Sequence, residues 1–151
     1  MERDIIQEMT ARGERYCAGA EHCAQDVREK VRQWCLEESH VEGVVKEVAE
    51  AVVERLMETG YIDEKRYARA FAHDKLMYQG WGRVKIEAML RAKDVPQAAI
   101  REALESLDEE AYSAVLERLI SKRRGDTEER VMRFCMQRGF RYEEVKALLR
   151  E

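Results

Sequence analysis

Proline is nearly missing from this chain: Pro96 is the only one in 151 residues. No stretch approaches the roughly 20 consecutive apolar residues that a membrane-spanning helix requires. Met1-Glu2-Arg3-Asp4 carries acids with no long apolar run behind it, so the beginning of the chain does not read as a secretion signal. Glycine-serine linkers, low-complexity tracts and strand-like alternation are missing as well. A strongly basic balance is also lacking. The net charge is −4, distributed as −6 over residues 1–62, +2 over 63–107 and 0 over 108–151. That argues against a dedicated nucleic-acid binder, although local basic patches remain open.

Cysteine and histidine are sparse. Cys17, Cys23, Cys35 and Cys135 show none of the short paired spacings of zinc ligands, even with His22 and His40 nearby. They read as free thiols at buried or half-buried positions, and reduced thiols point to a cytoplasmic location. No metal and no other cofactor is expected. Catalytic patterns are missing too: there is no glycine-rich phosphate loop, Ser-x-x-Lys pair or His-Glu-x-x-His. His22, His40 and His73 fall in different units or helices, and His73 and Asp74, as adjacent helix positions, do not face each other. The chain is therefore expected not to be an enzyme and to have no catalytic residue.

What the chain does contain is a repeat. From Tyr67 onward one pattern is written twice at a shift of 45 positions, pairing Tyr67 with Tyr112, Gly80 with Gly125, Ile86 with Val131, Leu90 with Cys135, Val95 with Phe140, Ile100 with Val145, and Leu104 with Leu149. Apolar and glycine positions hold register while polar positions drift, as in a duplicated packing unit constrained only on its buried side and at its reversals. A row of such units offers a long surface rather than one deep pocket.

Helical periodicity runs through nearly all of the sequence. Val45, Val48, Ala49, Val52, Val53, Leu56 and Met57 form one apolar stripe on a helix over 44–57. Ser39-His40-Val41-Glu42 reads as its capping box, and Gly60 lies just past its end. Asp63 caps a helix over 64–78 that Gly80 stops. Helices over 83–92 and 96–106 follow, with Pro96 at a first helical position. The copy repeats this order: Asp108 caps a helix to about Lys122, Gly125 breaks it, Asp126-Thr127-Glu128-Glu129 opens a helix to about Gln137, Gly139 ends that one, and a last helix covers 142–149. Earlier in the chain a helix ends near Ala18-Gly19 and another spans 23–36. If Val31 matches Ile86, the first unit is a looser copy. A helix of about 10 residues is marginal alone in water. Short helices of this kind must pack in groups and group on group. The expected fold is all-α: an elongated array of three tandem three-helix repeats at 1–62, 63–107 and 108–151.

Two segments are more specific than periodicity. They are Gly60-Tyr61-Ile62-Asp63-Glu64-Lys65-Arg66-Tyr67-Ala68 and Gly80-Trp81-Gly82-Arg83-Val84-Lys85-Ile86, the latter followed by Leu90 and Lys93-Asp94-Val95. With the tandem helical units, they resemble the RecX family of bacterial regulatory proteins, matching its Gly-Tyr-Ile-Asp-Asp/Glu-x-Arg-Phe/Tyr-Ala and Gly-Trp-Gly-x-x-Lys-Ile signatures. Arg83 stands where that family often has proline, and Asp94 where it usually has glycine. The resemblance implies a protein that binds the RecA filament on single-stranded DNA, lies in its helical groove and lowers recombinase and ATPase activity. No catalytic residue is needed for that role.

These segments also have structural roles. Tyr61 and Ile62 can tuck under a helix junction, Arg66 can pair with Asp63 or with the carbonyls ending the previous helix, and Trp81 can plug a gap between helices. Gly80 and Gly82 allow a tight reversal. For partner contact the candidates are Arg66, Arg69, Lys75, Trp81, Arg83, Lys85, Arg91, Lys93, Lys122, Arg123 and Arg124. Against that stands the plain reading of solvated helix faces, since isolated exposed charges contribute little, and Lys122-Arg123-Arg124 suits a helix C-terminus. Acidic protein surface and DNA phosphate are both open as targets. The competing function is a helical DNA-binding protein, which predicts strong salt-dependent binding to bare DNA. A RecA regulator predicts weak contact with DNA alone and tight binding to the filament. A monomer without a membrane partner is expected.

Overall fold

A computed structural model describes residues 2–38, 40 and 42–150, without the side chains of Glu2 and Glu42. Among these residues the protein is all-α. Its helices are α1 (Glu2–Gly19), α2 (Ala24–Glu37), α3 (Glu42–Glu58), α4 (Glu64–Gln79), α5 (Arg83–Ala92), α6 (Gln97–Glu105), α7 (Glu109–Ser121), α8 (Glu128–Gln137) and α9 (Tyr142–Leu149). The capping box expected at Ser39–Glu42 involves Ser39 and Val41, which lie outside the described residues.

Local chemistry explains most boundaries. The Asp63 carboxylate accepts from the Arg66 amide at 3.0 Å and that of Asp108 from the Ala111 amide at 2.9 Å, each satisfying a donor left free by a helix start. Gly60 has φ +81°, in the left-handed region where a side chain is disfavoured. Two caps differ from expectation. Pro96 precedes α6 as its cap residue instead of opening it. The cap of α8 is Thr127, whose hydroxyl accepts from the Arg130 amide at 3.2 Å. Asp126, the first residue of the expected box, lies instead 3.8 Å from Arg123.

The chain divides into two compact units. The first comprises Met1–Tyr67 with Lys93–Val95, the second Ala68–Ala92 with Pro96–Glu151. In the first, α1, α2 and α3 pack pairwise around Val27, Val31, Val45, Val48, Val52 and Leu56, all buried. Each such side chain contributes about 1.5–3 kcal/mol on leaving water. Gly13 lies mid-helix in α1 against α3: a Cβ there would come 2.7 Å from Leu56 Cδ1. The second unit buries Leu76, Ile86, Leu90, Ile100, Leu116, Val131, Phe140 and Val145. Among them are both members of the pairs Ile86/Val131 and Ile100/Val145, matched by the 45-residue shift.

The second unit is fastened at one junction. The amides of Gly82 and Val84, at the start of α5, donate to the carbonyls of Arg138 and Gly139 at 2.8 and 3.0 Å. The backbones are so close that a Cβ on Gly82 would lie 2.4 Å from the Gly139 oxygen, and one on Gly139 would lie 2.5 Å from Lys85 Cβ. Close approach, not a left-handed turn, is what requires glycine at 82; among the described residues the positive-φ glycines are 60, 80, 125 and 139. The Tyr112 hydroxyl completes the junction, accepting from the Arg83 amide at 3.1 Å and donating to Glu144 at 3.3 Å.

The first unit holds a counterpart. Its outlying segment Lys93–Val95 is the segment that the 45-residue shift matches to Arg138–Phe140, and Asp94 has φ +57° where Gly139 has +101°. Lys93 reaches Asp26 at 2.8 Å and Asp94 accepts from Gln25 at 3.1 Å, both on the first turn of α2. Tyr67, the match of Tyr112, meets Cys23 just before α2, and burial first, then this neighbourhood, pushes its phenol pKa up.

Two substitutions separate close approach from backbone conformation. Gly82→Ala is expected to lower stability by about 2 kcal/mol or more, because backbone on both sides must move. Asp94→Gly is expected to change stability by no more than about 1 kcal/mol, because relief of a left-handed non-glycine residue offsets the lost hydrogen bond from Gln25. Urea unfolding followed by circular dichroism checks both; equal effects would contradict the junction.

Candidate partner-binding surface

Most of the basic residues singled out by sequence are engaged inside the fold. In the first unit, Arg66 Nε donates to both Glu21 oxygens at 2.9 and 2.6 Å, and its Nη2 reaches the carbonyls of Gly60 and Tyr61 at 3.0 and 3.3 Å. It therefore ties the end of α3 to the residues just after α1. Lys93 forms the half-buried pair with Asp26. Burial alone would raise the Asp26 pKa, but the hydrogen bond and charge of Lys93, with a contribution from Cys23, outweigh it and leave it below the ordinary carboxylate value. His22 stacks on Tyr16 with ring centroids 3.8 Å apart, and burial lowers its pKa.

The other nine candidates lie in the second unit. Arg69 pairs with Glu102 at 2.9 Å, and Arg91 with Glu87 at 3.0 Å. Arg83 is the most engaged. Its guanidinium lies 4.1 Å from the Tyr112 ring centre, Nη2 reaches Glu109 at 2.7 Å, Nη1 lies 3.8 Å from Glu144 and Nε faces the Leu104 carbonyl at 3.4 Å. Only 18% of its side chain is exposed, so it serves the interior of the unit. Burial, with Glu144 nearby, pushes the Tyr112 phenol up to about 12, keeping it protonated and able to donate.

Lys75, Trp81 and Lys85 form a cluster. The two ammonium groups lie 4.9 and 4.4 Å from the Trp81 ring centre, and Phe71 meets the indole edge-on at 6.3 Å. Trp81 is half-buried, and each cation gains about 0.5–1 kcal/mol from the ring. Lys122, Arg123 and Arg124 follow α7 and are exposed. Arg123 lies 3.7 Å over the Phe134 ring. The side chains of Lys122 and Arg124 have no partner among the described residues.

Two features escaped sequence reasoning. Arg118, on α7, stands one turn before Lys122, which follows the helix. Arg138, after α8, donates through Nη2 to the Gln79 carbonyl; only the fold brings these together. The second feature is an open groove of about 630 Å³ between α8 and α9, where Met132, Met136, Tyr142 and Leu149 face solvent between Glu128, Glu129, Arg133 and Lys146. At the first three apolar positions the preceding repeat has Glu87, Arg91 and Gln97.

Among the described residues no helix is long and apolar enough to cross a membrane. Residues 63–104 match the family model described as RecX, second three-helix domain. A regulatory protein RecX from Thermus thermophilus is 37% identical over 92 residues, covering 61% of this chain and 61% of its own length. One from Pelodictyon phaeoclathratiforme is 30% identical over 113 residues, covering 72% of this chain and 71% of its own. Two solved structures share the fold. A crystal structure of regulatory protein RecX superposes with a TM-score of 0.78 at 20% identity, over 99% of this chain and 74% of the other. RecX from Lactobacillus salivarius gives 0.76 at 16%, over 98% and 96%.

The Lys93–Asp26 pair sets a pH signature. A carboxylate whose folded pKa is depressed contributes stability above its unfolded value, near 3.8, and that contribution is lost as pH falls through the folded value. Lys93→Met is expected to cost about 1–2 kcal/mol at pH 7 by leaving Asp26 half-buried without its partner, and to flatten the loss of stability below pH ~4. Urea titrations at pH 7 and pH 3 measure both; an unchanged acid limb would contradict the assignment.

Proposed function

This chain belongs to the RecX family, and from that premise we propose that it binds the RecA filament on single-stranded DNA and restrains recombinase and ATPase activity. The observation that carries the reading is the match of residues 63–104, which contain the Gly80–Ile86 signature segment, to a RecX three-helix domain. The chain is read as three three-helix repeats, 1–62, 63–107 and 108–151. Contacts spread along such repeats, each weak, combine through effective concentration when they engage adjacent subunits of one polymer. The protein acts in the cytoplasm as a monomer, without chemistry of its own, and touches single-stranded DNA only weakly.

The contact residues divide by how they are held. Arg66, Arg83 and Lys93 serve the fold first, and Arg69 and Arg91 are paired on its surface. Lys75, Trp81 and Lys85 present a fixed cationic patch. Lys122 and Arg124 carry charge that nothing within the described residues neutralises, with Arg123 between them. This last group is the primary contact.

The test is RecA-dependent ATP hydrolysis on single-stranded DNA, titrated with this protein. Hydrolysis is expected to fall toward a plateau, and no change at saturation would defeat the reading. Lys122, Arg123 and Arg124 changed together to glutamate are expected to shift half-inhibition to at least tenfold higher concentration with helicity unchanged. Tight, steeply salt-dependent binding to bare DNA would favour a direct nucleic-acid binder instead.

A further inference from the structure

A recess lies between the end of α4 and the face of α7 in the second unit. It holds about 160 Å³, and its lining includes Tyr78, Gln79, Arg118, Lys122 and Arg138. No carboxylate lines it, although the chain has 31 acids to 27 strong bases. Three other arginines of this unit, Arg69, Arg83 and Arg91, face acids. Here Arg118 and Lys122 have no side-chain partner among the described residues, while Arg138 donates through Nη2 to the Gln79 carbonyl at the pocket's edge.

We propose that this pocket receives the carboxylate of an acidic side chain on the protein partner, paired with Arg118 on α7 and Lys122 just after it. The proposal rests on the reading above that the partner is a protein filament, and it names the chemistry of one contact with it. One observation favours a carboxylate over a nucleic-acid phosphate: the recess, about 160 Å³, has room for one side chain and not for a nucleotide, whose phosphate is flanked by two sugars. The surroundings also have the composition of an interface centre: Tyr78 is 80% exposed and Met77 38% exposed beside two arginines. Arginine meets carboxylate through two parallel hydrogen bonds, which orients the partner as well as holding it.

The probes are fluorescein-labelled hexaglutamate and a fluorescein-labelled hexathymidylate, each titrated with the full chain by anisotropy at low and high salt. Hexaglutamate is expected to bind, to weaken as salt rises, and to lose at least tenfold in affinity in Arg118→Gln/Lys122→Gln. That variant is expected to keep its circular dichroism, since neither side chain holds a partner in the fold. Hexathymidylate binding more tightly than hexaglutamate through the same two residues would overturn the proposal in favour of a phosphate site. In the ATPase assay the double variant is expected to need at least fivefold more protein for half-inhibition. Full inhibition by the variant, with hexaglutamate binding unchanged, would overturn the pocket and leave the filament reading standing. No inhibition by the unaltered protein, with hexaglutamate still captured by Arg118 and Lys122, would remove the filament and leave a carboxylate site whose partner lies elsewhere.

Discussion

Two glycines in contact set the geometry of the second unit. Gly82 and Gly139 bring backbone against backbone, and the amides of Gly82 and Val84 are satisfied by carbonyls of the α8–α9 turn. This placement uses donors that a helix start otherwise leaves to water or a side chain. Once α5 is seated, Arg83 falls over the Tyr112 ring between Glu109 and Glu144, and the Tyr112 hydroxyl bridges the Arg83 amide to Glu144. The first unit uses the same two devices on α2, a tyrosine and a left-handed turn, with side-chain bonds from Lys93 and to Asp94 in place of bare backbone contact. The repeat in the sequence is thus a repeated way of docking a tyrosine and a turn onto the start of a preceding helix.

That docking consumes charge. Arg66, Arg83 and Lys93 look alike in sequence to any exposed cation, yet each is held by specific oxygen atoms within its unit. An engaged cation has little left to offer a partner, whereas Lys122, Arg124 and Arg118 keep theirs. The proposed function draws on this division: paired charge builds the scaffold, unpaired charge and the cationic Trp81 cluster remain for contact.

Much of the fold was legible because its determinants are local. The apolar stripe of α3, the caps Asp63 and Asp108, the glycines at 60, 80, 125 and 139, and the buried pairs Ile86/Val131 and Ile100/Val145 can each be read within a few residues or at one fixed shift. Two helix starts fall one residue later than the sequence suggests: Thr127 caps α8 in place of Asp126, and Pro96 caps α6 instead of opening it. The reason for Gly82 was invisible, because its neighbour Gly139 lies 57 residues away. The same holds for Arg138, whose place beside Arg118 and Lys122 depends on how α8 ends against α4. Asp94 was seen as a departure from a family pattern; that it retains the left-handed backbone of a glycine position follows only from the coordinates.

Amide hydrogen exchange at Gly82 and Val84 tests the docking most directly, since both groups precede or open a helix and have no partner within it. The account predicts protection close to that of buried core amides such as Ile86 and Val131, because releasing either bond requires the α8–α9 turn to leave α5. Exchange at the rate of an open helix start, with the core amides still protected, would contradict it.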